Sequence, residues 1–145
     1  MSELTTLFTR ASKLWRGAAD DAMRRHGVRV GQNLVLDVLW KTDGLTPGEL
    51  ADRLHVSTPT VVKSVGRMVA TGLLTKQRDA TDRRLVRLYL TDQARSIEGA
   101  IRVARADLET RATSTLTDDE RRTMIEALRK IVVELEVIGP RDEAT

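Results

Sequence analysis

Between Leu45 and Leu90 the chain carries two sets of helix punctuation so close together that few architectures accommodate both. Thr46 can cap a helix, Pro47 suits its first position, and Glu49 stands three residues after the cap, so Thr46 and Glu49 can form a reciprocal capping box. Leu50, Ala51 and Leu54 share one face of the helix that starts there. His55-Val56-Ser57 supplies a tight break, and Ser57 caps a second helix from Thr58. Val61, Val65, Met68 and Val69 recur at three- and four-residue intervals and face inward, until Gly72 ends the helix as a left-handed cap. The opposite face carries Thr58, Pro59, Thr60, Val62, Lys63 and Arg67. Two helices joined by three or four residues, the second with a small and cationic outer face, fit either a helix-turn-helix or an ordinary helical hairpin.

The next segment favours the first alternative. Leu73 to Lys76 and Leu85 to Leu90 read as strands joined by the polar stretch Gln77 to Arg84, so the two form a hairpin wing. From Ser57 to Leu90 seven basic residues face two acidic ones, a net of +5, whereas the whole chain carries +3. Positive charge is therefore concentrated where nucleic acid would sit. Lys63 is placed to donate to guanine acceptors, and Pro59, Thr60 and Val62 offer a hydroxyl and apolar surface suited to thymine methyls. Arg67, Lys76, Arg78, Arg83 and Arg87, with Ser57 and Thr58 at the helix start, are candidates for phosphate contacts. A long arginine at the wing tip suits the narrow, electronegative minor groove.

The series Leu50-Ala51, Val56-Ser57, Val61 with Lys63, Gly72-Leu73-Leu74, and Asp82-Arg83-Arg84 followed by Leu90-Thr91 resembles the winged helix-turn-helix of the MarR family of bacterial transcriptional regulators. The resemblance covers nearly the whole chain. It implies a mostly α fold, α+β at the wing, with about six helices and a two- or three-stranded wing. It assigns residues 31–90 to a DNA-binding lobe and residues 1–26 and 91–139 to dimerisation helices, with 140–145 as a tail. It also implies a homodimer on a roughly palindromic DNA operator, usually repressing nearby genes and often released by a small molecule. Carried over by position, Pro59, Thr60 and Lys63 face bases, Arg84 enters the minor groove, and Asp82 holds the wing arginines through an ion pair. One departure is Ala94, where the family commonly has Gly.

The flanking segments are apolar at helical spacing. Ser2 to about Arg25 holds Leu4, Leu7, Phe8, Ala11, Leu14, Trp15, Ala18 and Ala22, a helix of roughly 30 to 36 Å whose apolar face exceeds what a small lobe needs. A partner subunit is the economical cover, and packing within the same subunit is the alternative. Asn33 to Lys41 reads as another helix with Leu34, Val35, Val38 and Leu39 inward. After the wing, Thr91-Asp92 caps a helix carrying Ile97, Ile101, Ala104, Leu108 and Ala112. Thr117 with Glu120 forms a second capping box, opening a helix with Met124, Leu128, Ile131, Val132 and Leu135 that ends at Gly139-Pro140. By resemblance Leu4, Leu7, Phe8 and Ala11 meet Leu128, Val132 and Leu135 across a dimer interface. Small aromatic or anionic effectors of such proteins draw attention to Trp15, Arg16 and Trp40, although both tryptophans also suit plain packing.

Other functions find little support. The chain has no cysteine, hence no disulfide, thiol sensor or cysteine zinc site. His26 and His55 stand apart from metal-binding spacing, so neither metal nor cofactor is expected, and no nucleophile-base or paired-carboxylate grouping suggests an enzyme. No apolar run approaches a membrane span and no export signal opens the chain, so a cytoplasmic protein is expected. The remaining rival is a winged-helix module that meets an acidic protein or RNA without operator specificity.

Overall fold

The computed structural model describes residues 1–139 and divides into two compact units, one ending at Arg105 and the other beginning at Ala106. The expected tail, residues 140–145, lies outside the described residues. In chain order the elements are α1 (Glu3–Arg24), α2 (Gln32–Lys41), α3 (Pro47–Leu54), α4 (Thr58–Ala70), β1 (Leu74–Arg78), β2 (Val86–Leu90), α5 (Asp92–Ser96), α6 (Glu98–Ala112) and α7 (Asp118–Ile138). This is the expected mostly α architecture with a small wing. Among the described residues no helix is long and apolar enough to cross a membrane.

The first unit is built on one core. Leu36, Leu39, Leu50, Val61, Val65, Met68, Leu73, Leu74, Leu88 and Ile101 are fully buried together. Each large side chain contributes about 1.5 to 3 kcal/mol by leaving water. α3 and α4 present the expected faces, Leu50 and Ala51 from one and Val61, Val65 and Met68 from the other. On α2 the buried set is Gln32, Val35, Leu36 and Leu39, while Leu34, expected inward, is exposed. α2 begins one residue earlier than expected, behind Gly31 in the left-handed region, the Gln32 Oε1 accepts the Arg29 N–H at 3.0 Å, and the buried stripe runs through 32, 35, 36 and 39.

The wing is a two-stranded antiparallel sheet in which Leu74 pairs with Leu90 and Arg78 with Val86. A third strand is reduced to a single bridge, Leu45 to Leu88, with the Leu88 N–H donating to the Leu45 carbonyl at 2.8 Å. The hairpin closes onto the next helix through Thr91. Its Oγ1 donates to the Gly72 carbonyl at 2.6 Å and accepts the Ala94 N–H at 3.1 Å, capping α5. Ala94 is fully buried there, so the alanine that departs from the family pattern fits the helix entry.

Two local expectations are corrected. The helix drawn as one after Thr91 is two, broken at Ile97, where the Ser96 hydroxyl donates to the Gln93 carbonyl at 2.7 Å and competes with the backbone ladder. Of the expected Thr46-Glu49 capping box only one half forms. Thr46 Oγ1 accepts the Glu49 N–H at 3.2 Å, but the Glu49 carboxylate lies 3.9 Å from Arg87. The second box is complete: Thr117 accepts the Glu120 N–H at 3.1 Å and Glu120 accepts the Thr117 N–H at 3.0 Å. That unit holds α7, whose 21 residues include no buried side chain. An ion pair between Arg121 and Glu109 ties the start of α7 to α6 within the same unit.

Candidate nucleic-acid interface

The turn between α3 and α4 is sharper than its residues suggest. His55 takes up a left-handed conformation, φ 55°, uncommon for a residue with a Cβ, and its N–H caps the end of α3. Ser57 then caps α4, its Oγ accepting the Thr60 N–H at 3.3 Å and bonding the Thr60 hydroxyl at 2.8 Å. At the far end Gly72, φ 82°, releases the chain into the wing. These caps fix which residues of α4 face outward. Ser57, Thr58, Pro59, Thr60, Val62, Lys63 and Arg67 are all exposed, on the side opposite Val61, Val65 and Met68. The α4 N-terminus, where backbone N–H groups and the helix dipole favour anions, lies at the same end as Ser57, Thr58 and Thr60.

The wing tip is shaped by carboxylates. Asp82 takes the Arg84 guanidinium in a two-pronged pair, Oδ1 to Nε and Oδ2 to a terminal nitrogen, both at 3.1 Å, and the same Oδ1 accepts the Arg84 backbone N–H at 3.1 Å. These bonds from the Arg84 side chain and then its backbone hold the Asp82 carboxyl below its ordinary range and push the Arg84 guanidinium further up. Arg84 is nonetheless extended into solvent, its side chain 89% exposed. Asp79 closes the other side of the loop. It accepts the Thr81 N–H at 3.1 Å, which with Arg87 lowers its carboxyl, while its own N–H donates to the Leu85 carbonyl at 2.9 Å. Lys76, Arg78 and Arg83 are exposed, and Arg78 donates to the Arg83 carbonyl at 2.8 Å.

Arg87 is placed differently from the other candidates for phosphate. It donates to the Gly44 carbonyl at 2.9 Å and to Asp79 at 3.3 Å, so its charge is engaged inside the chain. Its partners Gly44, Asp79 and Glu49 lie apart along the chain, and their spacing does not mark them as a group. The hairpin register sets Gln77 opposite Arg87, and Asp79, two residues further along, is its diagonal neighbour.

Leu4, Leu7 and Phe8 on α1 are exposed, as are Leu128, Val132 and Leu135 on α7, and Ala11 is exposed too. Trp40 packs against the core and its Nε1 donates to the Ala94 carbonyl at 3.1 Å. It borders an open cavity of about 460 Å³ with Asp37, Lys41, Glu98, Ile101, Arg102 and Arg105. Arg105 is paired with Asp37 at 2.7 Å and Arg102 with Glu98 at 2.8 Å. Trp15 and Arg16 are exposed on α1 and do not line that cavity.

Two short capped helices, the second with a small and cationic outer face, set beside a basic two-stranded hairpin, define a winged helix-turn-helix protein. Residues 26–85 match the model of the MarR family. The chain is similar to the HTH-type transcriptional regulator TtmR of Methylorubrum extorquens, 32% identical over 113 residues that cover 78% of this chain and 57% of TtmR. The chain thus spans little more than half the length of that relative. It is 24% identical to the regulator MgrA of Staphylococcus aureus over 88% of this chain and 85% of MgrA. In fold it matches a MarR transcriptional regulator from Methanosarcina mazei, TM-score 0.77 at 21% identity over 93% of this chain and 97% of that one. A MarR variant from E. coli complexed with operator DNA matches with TM-score 0.75 at 24% identity, over 88% and 92%.

Proposed function

We propose that this chain is a sequence-specific DNA-binding transcriptional regulator, acting as a homodimer that represses nearby genes and lets go when a small molecule binds. The observation that carries the reading is the outward face of α4, exposed from Ser57 to Arg67 without a large aromatic anchor, beside a wing tip that extends Arg84 into solvent. In this reading Pro59, Thr60, Val62 and Lys63 meet base edges in the major groove and Arg84 enters the minor groove. Ser57, Thr58, Arg67, Lys76, Arg78 and Arg83 meet phosphates. The E. coli MarR variant solved with operator DNA supports it.

The dimer is supported by two apolar faces. α1 exposes Leu4, Leu7, Phe8, Leu14 and Trp15, and α7 exposes a run from Met124 to Ile138, more than a single soluble chain ordinarily leaves open. Paired recognition helices would sit about 34 Å apart, one turn of DNA, so any effector that changes the angle between lobes changes affinity. The cavity beside Trp40, with Lys41, is where a small aromatic anion would act. The experiment is selection of genomic fragments by the purified chain. An enriched inverted repeat with half-sites one turn apart supports the proposal. Salt-sensitive binding without an enriched sequence contradicts it and favours an interaction module for RNA or acidic protein.

A further inference from the structure

Arg87 and Arg84 stand three residues apart on one arm of the wing, and their charges go to opposite places. The Arg84 side chain is 89% exposed, the Arg87 side chain 30%. One terminal nitrogen of Arg87 donates to the Gly44 carbonyl at 2.9 Å and lies 3.9 Å from Glu49 Oε1, and the other donates to Asp79 Oδ2 at 3.3 Å. A single planar group therefore joins strand β2, the start of the wing loop, the α2–α3 connection and the first turn of α3. Only a guanidinium offers a rigid fork able to satisfy a carbonyl and a carboxylate at once. The backbone bonds that join the middle of β2 to the α2–α3 connection lie beside it: Gly44 N–H to the Leu88 carbonyl at 3.0 Å and Leu88 N–H to the Leu45 carbonyl at 2.8 Å.

Arg87 stands one residue from the loop end of β2, opposite Gln77, so the clasp restrains the hairpin well out from its base at Leu74 and Leu90. A five-residue strand is about 17 Å long, so a tilt of about 10° at its base carries the tip roughly 3 Å, a whole hydrogen-bond length. We infer that Arg87 is a positioning residue: it fixes the tilt of the wing against α3 and thereby sets where Arg84 meets the minor groove, instead of binding phosphate itself. The inference rests on the DNA-binding reading above for its consequence, but the clasp can be tested without DNA.

The chain has no cysteine, so nitroxide labels at Ala80→Cys on the wing tip and Asp52→Cys on α3 report their separation by pulsed electron spin resonance. Labelled protein is diluted into unlabelled protein so that only pairs within one chain are read. The parent should give a narrow distribution, and Arg87→Gln a broad or shifted one. Arg87→Lys keeps the charge but loses the fork and should broaden it too. An unchanged distribution in Arg87→Gln overturns the inference. If that variant fails to fold, Asp79→Asn opens the same clasp with the arginine retained and must broaden the distribution.

On a selected DNA fragment Arg87→Gln should weaken binding about tenfold alone but by less than about threefold in an Arg84→Ala background, as expected of coupled residues. Equal losses in both backgrounds, with the salt slope reduced by about one, would mark a phosphate contact and overturn it. If the parent prefers no fragment, the DNA-binding reading fails while the label distances still decide the clasp.

Discussion

Gly44 offers a test whose size can be worked from the structure. It sits at φ +76°, in the left-handed region, and a Cβ built there would lie 3.0 Å from Tyr89 Cε1 and 3.3 Å from Cζ. The conformation alone costs an L-residue about 1 to 2 kcal/mol. The tight contact adds to this, because the Tyr89 ring must move by a few tenths of an ångström against β2. Restricting the unfolded chain returns about 0.4 to 1 kcal/mol. Gly44→Ala should therefore destabilise the chain by roughly 1 to 2 kcal/mol, lowering the melting temperature by about 2 to 8 °C. Gly66 is the internal control. It lies in the middle of α4 with nothing within 4 Å of an added Cβ, so Gly66→Ala should stabilise by up to about 1 kcal/mol. The assay is urea unfolding followed by circular dichroism at one fixed protein concentration, since self-association would couple to stability. A Gly44→Ala variant as stable as the parent, or a shift of the same sign for both glycines, refutes the argument.

Three further outcomes follow from the same geometry. Lys63→Ala should cost about 1 to 3 kcal/mol on a selected fragment and relax preference at one base pair, whereas Arg83→Ala should weaken all sequences alike and lower the salt slope by about one. Competition titrations separate them, and identical behaviour of the two variants would refute the assignment. Val132→Asp, on the exposed apolar face of α7, should leave the helical content intact while reducing the sedimentation mass to that of a monomer; an unchanged mass would place the dimer surface elsewhere. The Thr117 N–H holds the Glu120 carboxyl below its ordinary value. Its contribution to the start of α7 is thus fully present above the ordinary glutamate range and is lost as pH falls through the lowered folded value. Unfolding midpoints measured on the acid side should fall less in Glu120→Gln than in the parent, and equal slopes would remove the capping box from the account.

The sequence was most legible where one residue type has one structural use. Thr46, Ser57, Thr91 and Thr117 each cap the helix expected of them, and Gly72 ends α4 in the left-handed region. It was least legible where a side chain had two credible partners. Glu49 could close a capping box or approach Arg87, and Arg87 could reach a phosphate or the Gly44 carbonyl. Spacing along the chain cannot rank such alternatives, because the choice depends on how the hairpin lies against the α2–α3 connection. The facing of α2 has a similar origin: Leu34 and Leu36 both border the stripe of Val35 and Leu39, and which of them turns inward depends on how the helix packs, a choice that periodicity does not rank. Trp40 suits plain packing better than a pocket in the sequence, and in the structure it packs against the core, bonds Ala94, 54 positions away, and borders the cavity.

The measurement that bears most directly on the central claim is a map of backbone amide shifts on adding a selected DNA duplex to isotope-labelled chain. Changes are expected only from Ser57 through Arg67 and in the wing from Lys76 to Arg84, with α7 unaffected at saturating salt-matched DNA. Changes centred on another surface, or none on α4 and the wing while DNA is bound, would contradict the claim.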